Sequence, residues 1–233
     1  MSTADGAAEA RAAGTGRPVD ERDTREVLSA QHVWAGPILS VEDERVRLSE
    51  GTEPLRRQVV RHHDAVNVVA LREGEDSSQP DGAAEILMVR QYRHPVRASL
   101  WEIPAGLLDV PGEDPLVAAQ GELAEETDRR ASTWHALVDY YASPGFTTEG
   151  ARSFLARGIS VLPESEHIER EAEEAEFVPT WFRFDDVVAG VLAGELHNPS
   201  TVMGVLAADR ARARGWEGLR PADSPWLRSP ASL

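Results

Sequence analysis

The chain contains no cysteine, which excludes disulfides, thiolate metal sites and a cysteine nucleophile and agrees with a reducing compartment. It contains no lysine either: all 24 basic residues are arginine, so a phosphate held by a side-chain cation is held by a planar fork rather than a point charge. No apolar run approaches the roughly 20 residues that cross a bilayer, and the first residues are polar and Ala-rich, unlike a signal peptide. A soluble, cytoplasmic protein is expected. Positive charge is itself scarce, with 40 acidic residues against 24 basic and a net charge of -16. That balance disfavours non-specific attraction to nucleic acid or to an anionic membrane, and an anionic substrate then requires metal ions or locally clustered arginines. A P-loop, a G-x-S-x-G elbow and an H-E-x-x-H zinc spacing are all missing. The adjacent His62 and His63 fall in an extended segment, where successive side chains face opposite ways, so they do not chelate one metal together.

At 233 residues the chain is long enough for one sizeable core without a second catalytic domain. Residues 1–24 are small and charged with little to bury, the composition of a disordered tail. Residues 27–48 carry Val, Ile and Leu interrupted by Gly36-Pro37, a pattern of two strands and a turn. The segments 58–71 and 84–92 read as central strands, and further strands are expected at 134–141, 153–159 and 177–184. Asp185 is expected to cap a last helical region, and after Gly215 the chain returns to Gly, Pro and Ser. Strands, helix, strands, helix is an order that suits an α/β sandwich with a mixed sheet.

Between the strands, Asp114-Pro115 supplies a helix start, with Asp as N-cap and Pro at the first helical position, where its missing N–H costs nothing. Leu116, Ala119 and Leu123 then recur at helical spacing and predict a buried stripe. On the same helix Glu122, Glu125 and Glu126 are related by i, i+3 and i+4 and project from one side. Each like-charge pair costs roughly a few tenths of a kcal/mol, a sign that a hard divalent cation reverses. Mg²⁺ or Mn²⁺ suits such ligands better than Zn²⁺. An ordinary solvated helix face has the same composition, and these five residues alone leave both readings open.

The string from Gly106 through LLDVPG, Glu113 and DPLVAAQ to Gly121-Glu122-Leu123-Ala124-Glu125-Glu126 resembles the Nudix box, G-x5-E-x7-R-E-U-x-E-E-x-G-U, with U a bulky aliphatic. It departs in four places: the first spacer holds six residues, Gly121 stands where the box has Arg, Asp128 at the final Gly, and Arg129 at the last aliphatic. The flanking VRQYRHPVRASLWEIPAGLLD, Ser143-Pro144-Gly145-Phe146 and Glu173-Glu174-Ala175-Glu176 resemble the ADP-ribose pyrophosphatase branch of that family, particularly actinobacterial members, over about residues 27 to 210.

The resemblance implies a Nudix-type α/β/α sandwich with a mixed sheet (residues 58–212), N-terminal strands (25–57) that contribute to a homodimer, and a C-terminal tail (213–233). It implies Glu122 and Glu126 as principal metal ligands, Glu125 as an additional or water-mediated one, and the carbonyl of Ala105 completing the set, with Glu113 orienting the site. Mg²⁺ or Mn²⁺ would bridge the pyrophosphate in Lewis-acid and nucleophile-generating roles. The general base falls on the later loop, at Glu174 with Glu173 in reserve. For substrate, Arg93 and Arg97 are candidate phosphate forks, Glu102 a partner for ribose hydroxyls, and Trp34 a stacking surface for adenine that serves the partner's site in a dimer. Each of these also has an ordinary structural reading. The expected activity is hydrolysis of ADP-ribose, or a related nucleoside diphosphate sugar, to AMP and ribose 5-phosphate. The competing class is a Nudix-like nucleotide-binding or regulatory module, weakened because Gly121 cannot brace the box glutamates as Arg does.

Overall fold

The computed structural model describes residues 17–73, 84–167 and 177–228. Residues 17–25 have no regular structure and are exposed. Strands β1 (Glu26–Ala35), β2 (Leu39–Arg47) and β3 (Leu55–His62) form an antiparallel sheet of their own in the order β1-β2-β3. The Gly36-Pro37 turn falls where the sequence places it, with Gly36 N–H donating to the Leu39 carbonyl at 2.9 Å.

The run expected as one strand over 58–71 is two. Strand β3 ends at His62 and β4 (Ala65–Glu73) begins a second sheet. The break falls at Asp64, which is fully buried and accepts the Gly150 N–H through Oδ1 at 2.9 Å. A buried carboxylate must be hydrogen-bonded, and satisfying it turns the chain. Apolar periodicity carries no trace of such a long-range bond.

The second sheet runs β10 (Thr180–Arg183), β5 (Ala84–Arg93), β4, β9 (Gly150–Val161), β8 (Arg129–Tyr141), β11 (Arg220–Pro221), with β6 (Ala98–Glu102) also on β5 and β7 (Ala105–Leu107) also on β4. It is mixed: β4 and β9 are parallel, and the other pairs antiparallel. Strand β4 is buried along Val66 to Leu71, as a central strand covered on both faces must be. Period-two alternation sends its side chains to two cores. Val66, Val68 and Ala70 join Leu87, Leu123 and Phe154 under helix α1 (Pro115–Thr127). Val69 and Leu71 join Ile86, Met88, Phe184 and Val205 under α2 (Phe184–Leu192) and α3 (Pro199–Arg212). The result is the expected α/β/α sandwich. Ala119 and Leu123 are fully buried and Leu116 packs beside them, which realises the predicted stripe; burial of a side chain the size of Leu123 stabilises by about 1.5–3 kcal/mol.

The strand expected at 177–184 shortens to β10, because Phe184 turns inward to open α2 rather than continue the ladder. The residue before the helix is Arg183 rather than Asp185, and Asp185 lies in its first turn, where a carboxylate favours the helix dipole, and pairs with Arg212. Helix α3 is capped by Asn198, whose side chain accepts the Thr201 N–H at 2.9 Å.

Residues 214–228, part of the stretch expected as a tail, pack on the sheet. Strand β11 pairs with β8, and Trp226 lies against the core beneath α1. Among the described residues no helix is long and apolar enough to cross a membrane.

Candidate active site at the carboxylate face of helix α1

Helix α1 starts where its sequence dictates: Asp114 accepts the Leu116 N–H at 2.7 Å and Pro115 occupies the first turn. It ends at Asp128, which adopts φ 55 and donates its N–H to the Ala124 carbonyl at 2.8 Å. A left-handed residue here is the usual helix stop, and it accounts for the glycine of the box pattern at this place. Asp is one of the few other residues that tolerate the conformation. The six-residue spacer is accommodated in an exposed turn, closed by Glu113 N–H to the Val110 carbonyl at 3.2 Å.

The three helix glutamates separate into two environments. Glu126 is buried, 5% exposed, and its Oε2 accepts the Ala105 N–H at 3.3 Å. Glu122 lies over the backbone of Gly106, where a β-carbon would stand 1.7 Å from its Oε1. Glu125 is exposed and folds back toward Gly121, its Oε1 3.4 Å from the position of a β-carbon there. Among the described residues no three acidic or histidine side chains form a metal-holding group; what converges is two carboxylates on the Ala105–Gly106 peptide. These are hard oxygen donors, a set that fits Mg²⁺ or Mn²⁺ and lacks the imidazole or thiolate that Zn²⁺ recruits.

That peptide belongs to a strap, residues 102–108, tied down from three directions. Val68 N–H donates to the Pro104 carbonyl at 2.8 Å and Leu108 N–H to the Asp64 carbonyl at 2.8 Å. Ile103 N–H donates to Thr201 Oγ1 at 3.1 Å. Thr201 is itself fully buried at the start of α3. From β9 a polar chain, fully buried at Ser153 and Asn67 and partly buried beyond, runs from Ser153 to Asn67 on β4, from Asn67 to Tyr140 at 3.3 Å and from Tyr140 to Ser200 at 2.6 Å. Burial pushes the Tyr140 phenol up from its ordinary value, partly opposed by its bonds to Ser200 and Asn67. None of these positioning groups carries a motif, and the sequence reading did not find them.

At the start of the strap, Glu102 and Arg93 form a bidentate pair, Nε to Oε1 at 2.9 Å and Nη2 to Oε2 at 2.7 Å. Glu102 is buried beneath it. The two residues singled out for phosphate and ribose are thus each other's partners. Glu149, the end of the SPGFTTE segment, is a further group missed in the sequence. Burial raises its carboxyl above the ordinary value, His62 and Arg93 act in the opposite sense, and Asp64 adds to the rise. The signal was present in the segment's acidic last residue, but only folding brings it near Arg93.

Other candidates lie apart. Arg97 is exposed, in a left-handed conformation (φ 53) after the short 3-10 turn His94–Val96. Trp34 is 54% exposed on β1, in the separate three-stranded sheet, with its ring folded over Gly36. Glu173 and Glu174 lie outside the described residues. Trp101 is partly buried against the core under α2 and α3, edge-on to Phe182 at 4.8 Å.

A model of the NUDIX domain matches residues 61–201, which include the strap, α1 and the SPGF segment. The chain belongs to the Nudix family. It is 38% identical over 210 residues to an ADP-ribose pyrophosphatase of Mycobacterium tuberculosis, covering 89% of this chain and 94% of that protein. It is 32% identical over 179 residues to an ADP-ribose pyrophosphatase of Bacillus subtilis, covering 76% and 89%. The crystal structure of an ADP compounds hydrolase superposes with a TM-score of 0.61 at 17% identity, over 84% of this chain and 99% of that one, a likeness of fold. With these relatives the chain is a Nudix hydrolase resembling the ADP-ribose pyrophosphatase branch.

Proposed function

We propose that this Nudix hydrolase cleaves the pyrophosphate of ADP-ribose, or of a closely related nucleoside diphosphate sugar, to AMP and ribose 5-phosphate. The observation that carries the reading is the convergence of Glu122 and Glu126 on the Ala105–Gly106 peptide. It lies three residues along the strap from the Arg93–Glu102 pair, in a chain 38% identical to an ADP-ribose pyrophosphatase. Glu122, Glu126 and the Ala105 carbonyl would hold Mg²⁺ or Mn²⁺, with Glu125 joining directly or through water. When bound, such a cation supplies charge neutralisation and Lewis acidity at the pyrophosphate oxygens.

The chain's own residues do the rest. Arg93 and Arg97 orient the phosphates, and a phosphate arriving at Arg93 competes with Glu102 for a fork that is already satisfied. Release from that pair leaves Glu102 able to accept ribose hydroxyls. Water attacks one phosphorus, the bridging P–O bond breaks toward the other phosphate, and Glu174, with Glu173 in reserve, accepts the proton from water.

The N-terminal sheet supports a homodimer. Every residue of β1 is exposed, including Val27, Val33 and Trp34, an apolar strand that a second copy would cover, and Trp34 would then stack on adenine in the partner's site.

Incubation with Mg²⁺ and a panel of nucleoside diphosphate compounds, with products separated by chromatography, tests the reading. AMP and ribose 5-phosphate from ADP-ribose are expected. Equal turnover in excess chelator, or about a tenfold preference in kcat/KM for a non-adenine nucleotide sugar, overturns it.

A further inference from the structure

The C-terminal segment is held to the catalytic sheet residue by residue. Arg220 donates to Asp139 at 2.8 Å. The carbonyls of Ser224 and Pro225 accept from the buried Arg152 at 2.7 and 3.2 Å. The Trp226 ring sits between the guanidiniums of Arg152 at 5.2 Å and Arg228 at 5.3 Å. The Leu227 carbonyl accepts from Tyr141 Oη at 2.6 Å, and the Arg228 carbonyl from Arg22 at 2.9 Å. At its far end Arg228 Nε donates to Asp64 Oδ2 at 2.6 Å.

Asp64 is fully buried, and it is shared. Oδ2 faces Arg228, Oδ1 holds the Gly150 N–H at 2.9 Å, and the main-chain carbonyl receives Leu108 N–H at 2.8 Å. One residue therefore joins Arg228 to the strap of the active site and to the residue that follows Glu149. The fit around Gly150 is close: a β-carbon there would lie 3.0 Å from Asp64 Oδ1 and 3.4 Å from the Trp226 ring.

We propose that residues 220–228 form a clasp that fixes the Gly150 peptide and the strap beginning at the Arg93–Glu102 pair for substrate binding, with Arg228 a positioning residue that acts through Asp64. A buried carboxylate is costly unless an opposite charge and hydrogen bonds compensate it. When Arg228 is lost, Asp64 turns toward water and holds the Gly150 N–H less well. Glu149 is the preceding residue, anchored through its own backbone to Ala142 and Thr147 at 3.0 and 3.2 Å. Asp64 also accepts the Leu108 N–H at the end of the strap, so a displaced Asp64 loosens both the Gly150 peptide and the strap that begins at the Arg93–Glu102 pair. The inference rests on the nucleoside diphosphate reading of the Arg93 region.

The test compares wild type with Arg228→Gln and Arg228→Lys in the full chain by two readouts. Hydrogen–deuterium exchange at the Gly150 amide needs no turnover: Arg228→Gln exchanges about fivefold or more faster at temperatures well below melting. Steady-state kinetics with Mg²⁺ and ADP-ribose separates positioning from bulk destabilisation: Arg228→Gln raises KM about tenfold with kcat within about twofold. Arg228→Lys, which keeps the charge but not the fork, lies between wild type and Arg228→Gln in both. Should Arg228→Gln fail to fold, Arg228→Lys carries both readouts with smaller shifts of the same sign. Unchanged Gly150 exchange, unchanged KM, or a fall in kcat alone overturns the clasp. If the wild-type protein turns over no nucleoside diphosphate, the proposed function fails, and the exchange experiment still decides whether Arg228 holds Gly150.

Discussion

The carboxylate of Glu122 occupies the space that a side chain on Gly106 would fill, with Oε1 1.7 Å from the ideal β-carbon position. No rotamer adjustment of a residue at 106 relieves such an overlap, so Glu122 itself must move. Gly106→Ala is expected to lower Mg²⁺-dependent turnover by about 10–100-fold, the range for displaced metal-site support, and to raise the Mg²⁺ concentration for half-maximal activity. Titration of activity with Mg²⁺ checks both; unaltered metal dependence would show that Glu122 is not a ligand.

Glu126 is buried and accepts the Ala105 N–H. Glu126→Gln keeps that acceptor and removes the charge. More than about a 100-fold loss of activity is expected, beyond the upper range for residues that only support ligands, while the melting temperature without metal holds or rises because repulsion along the helix falls. Turnover assays paired with thermal melts in chelator provide the measurement, and full activity in the variant refutes the metal assignment.

Gly121 is a helical residue with space around it. Among the described residues the one near neighbour of an added β-carbon is Glu125 Oε1 at 3.4 Å, ordinary van der Waals contact, so none of them sterically requires glycine. Gly121→Ala should stabilise the fold by about 1 kcal/mol, the helix-propensity difference, measured by denaturant melts. Gly121→Arg should do likewise and raise kcat if an arginine brace on the box carboxylates is the missing element. High wild-type activity that falls in Gly121→Arg would show that another residue already supplies the brace.

Asp128 combines a left-handed backbone (φ 55) with an acidic side chain at the C-terminal end of α1, where a negative charge opposes the helix dipole. Asp128→Gly removes both costs. A gain of about 0.5–1 kcal/mol is expected; a loss in chemical denaturation would mean that the Asp128 side chain makes contacts worth more than its strain.

Glu149 sets a pH dependence whose sign follows from its raised carboxyl, caused first by burial. The folded state prefers the protonated form relative to the unfolded chain. Its contribution to stability is therefore fully present below the ordinary carboxylate pKa, 4.5, and is lost as pH rises through the higher folded value. Glu149→Gln mimics the neutral form, so it should raise the melting temperature near pH 8 and change it little near pH 4, while raising KM for ADP-ribose. Equal shifts at both pH values would exclude the burial effect.

The sequence by itself determined the local elements and which of them carry the candidate site residues. The Asp114-Pro115 start, the Leu116, Ala119 and Leu123 stripe and the spacing of Glu122 and Glu126 are short-range regularities, and each follows from helix geometry and capping that a reader of the chain can apply. The tertiary structure decided what lies far apart in the chain. It divided 58–71 at Asp64 through a bond to Gly150, 86 residues away, and left Glu125 exposed while burying Glu126. It paired Arg93 with Glu102, brought Glu149 toward them, and folded residues 224–228 onto Arg152 and Asp64. Periodicity registers which face of an element is apolar, whereas a buried charge finds its partner only when the whole chain has folded, because the cost of leaving it unpaired exists only in the desolvated interior.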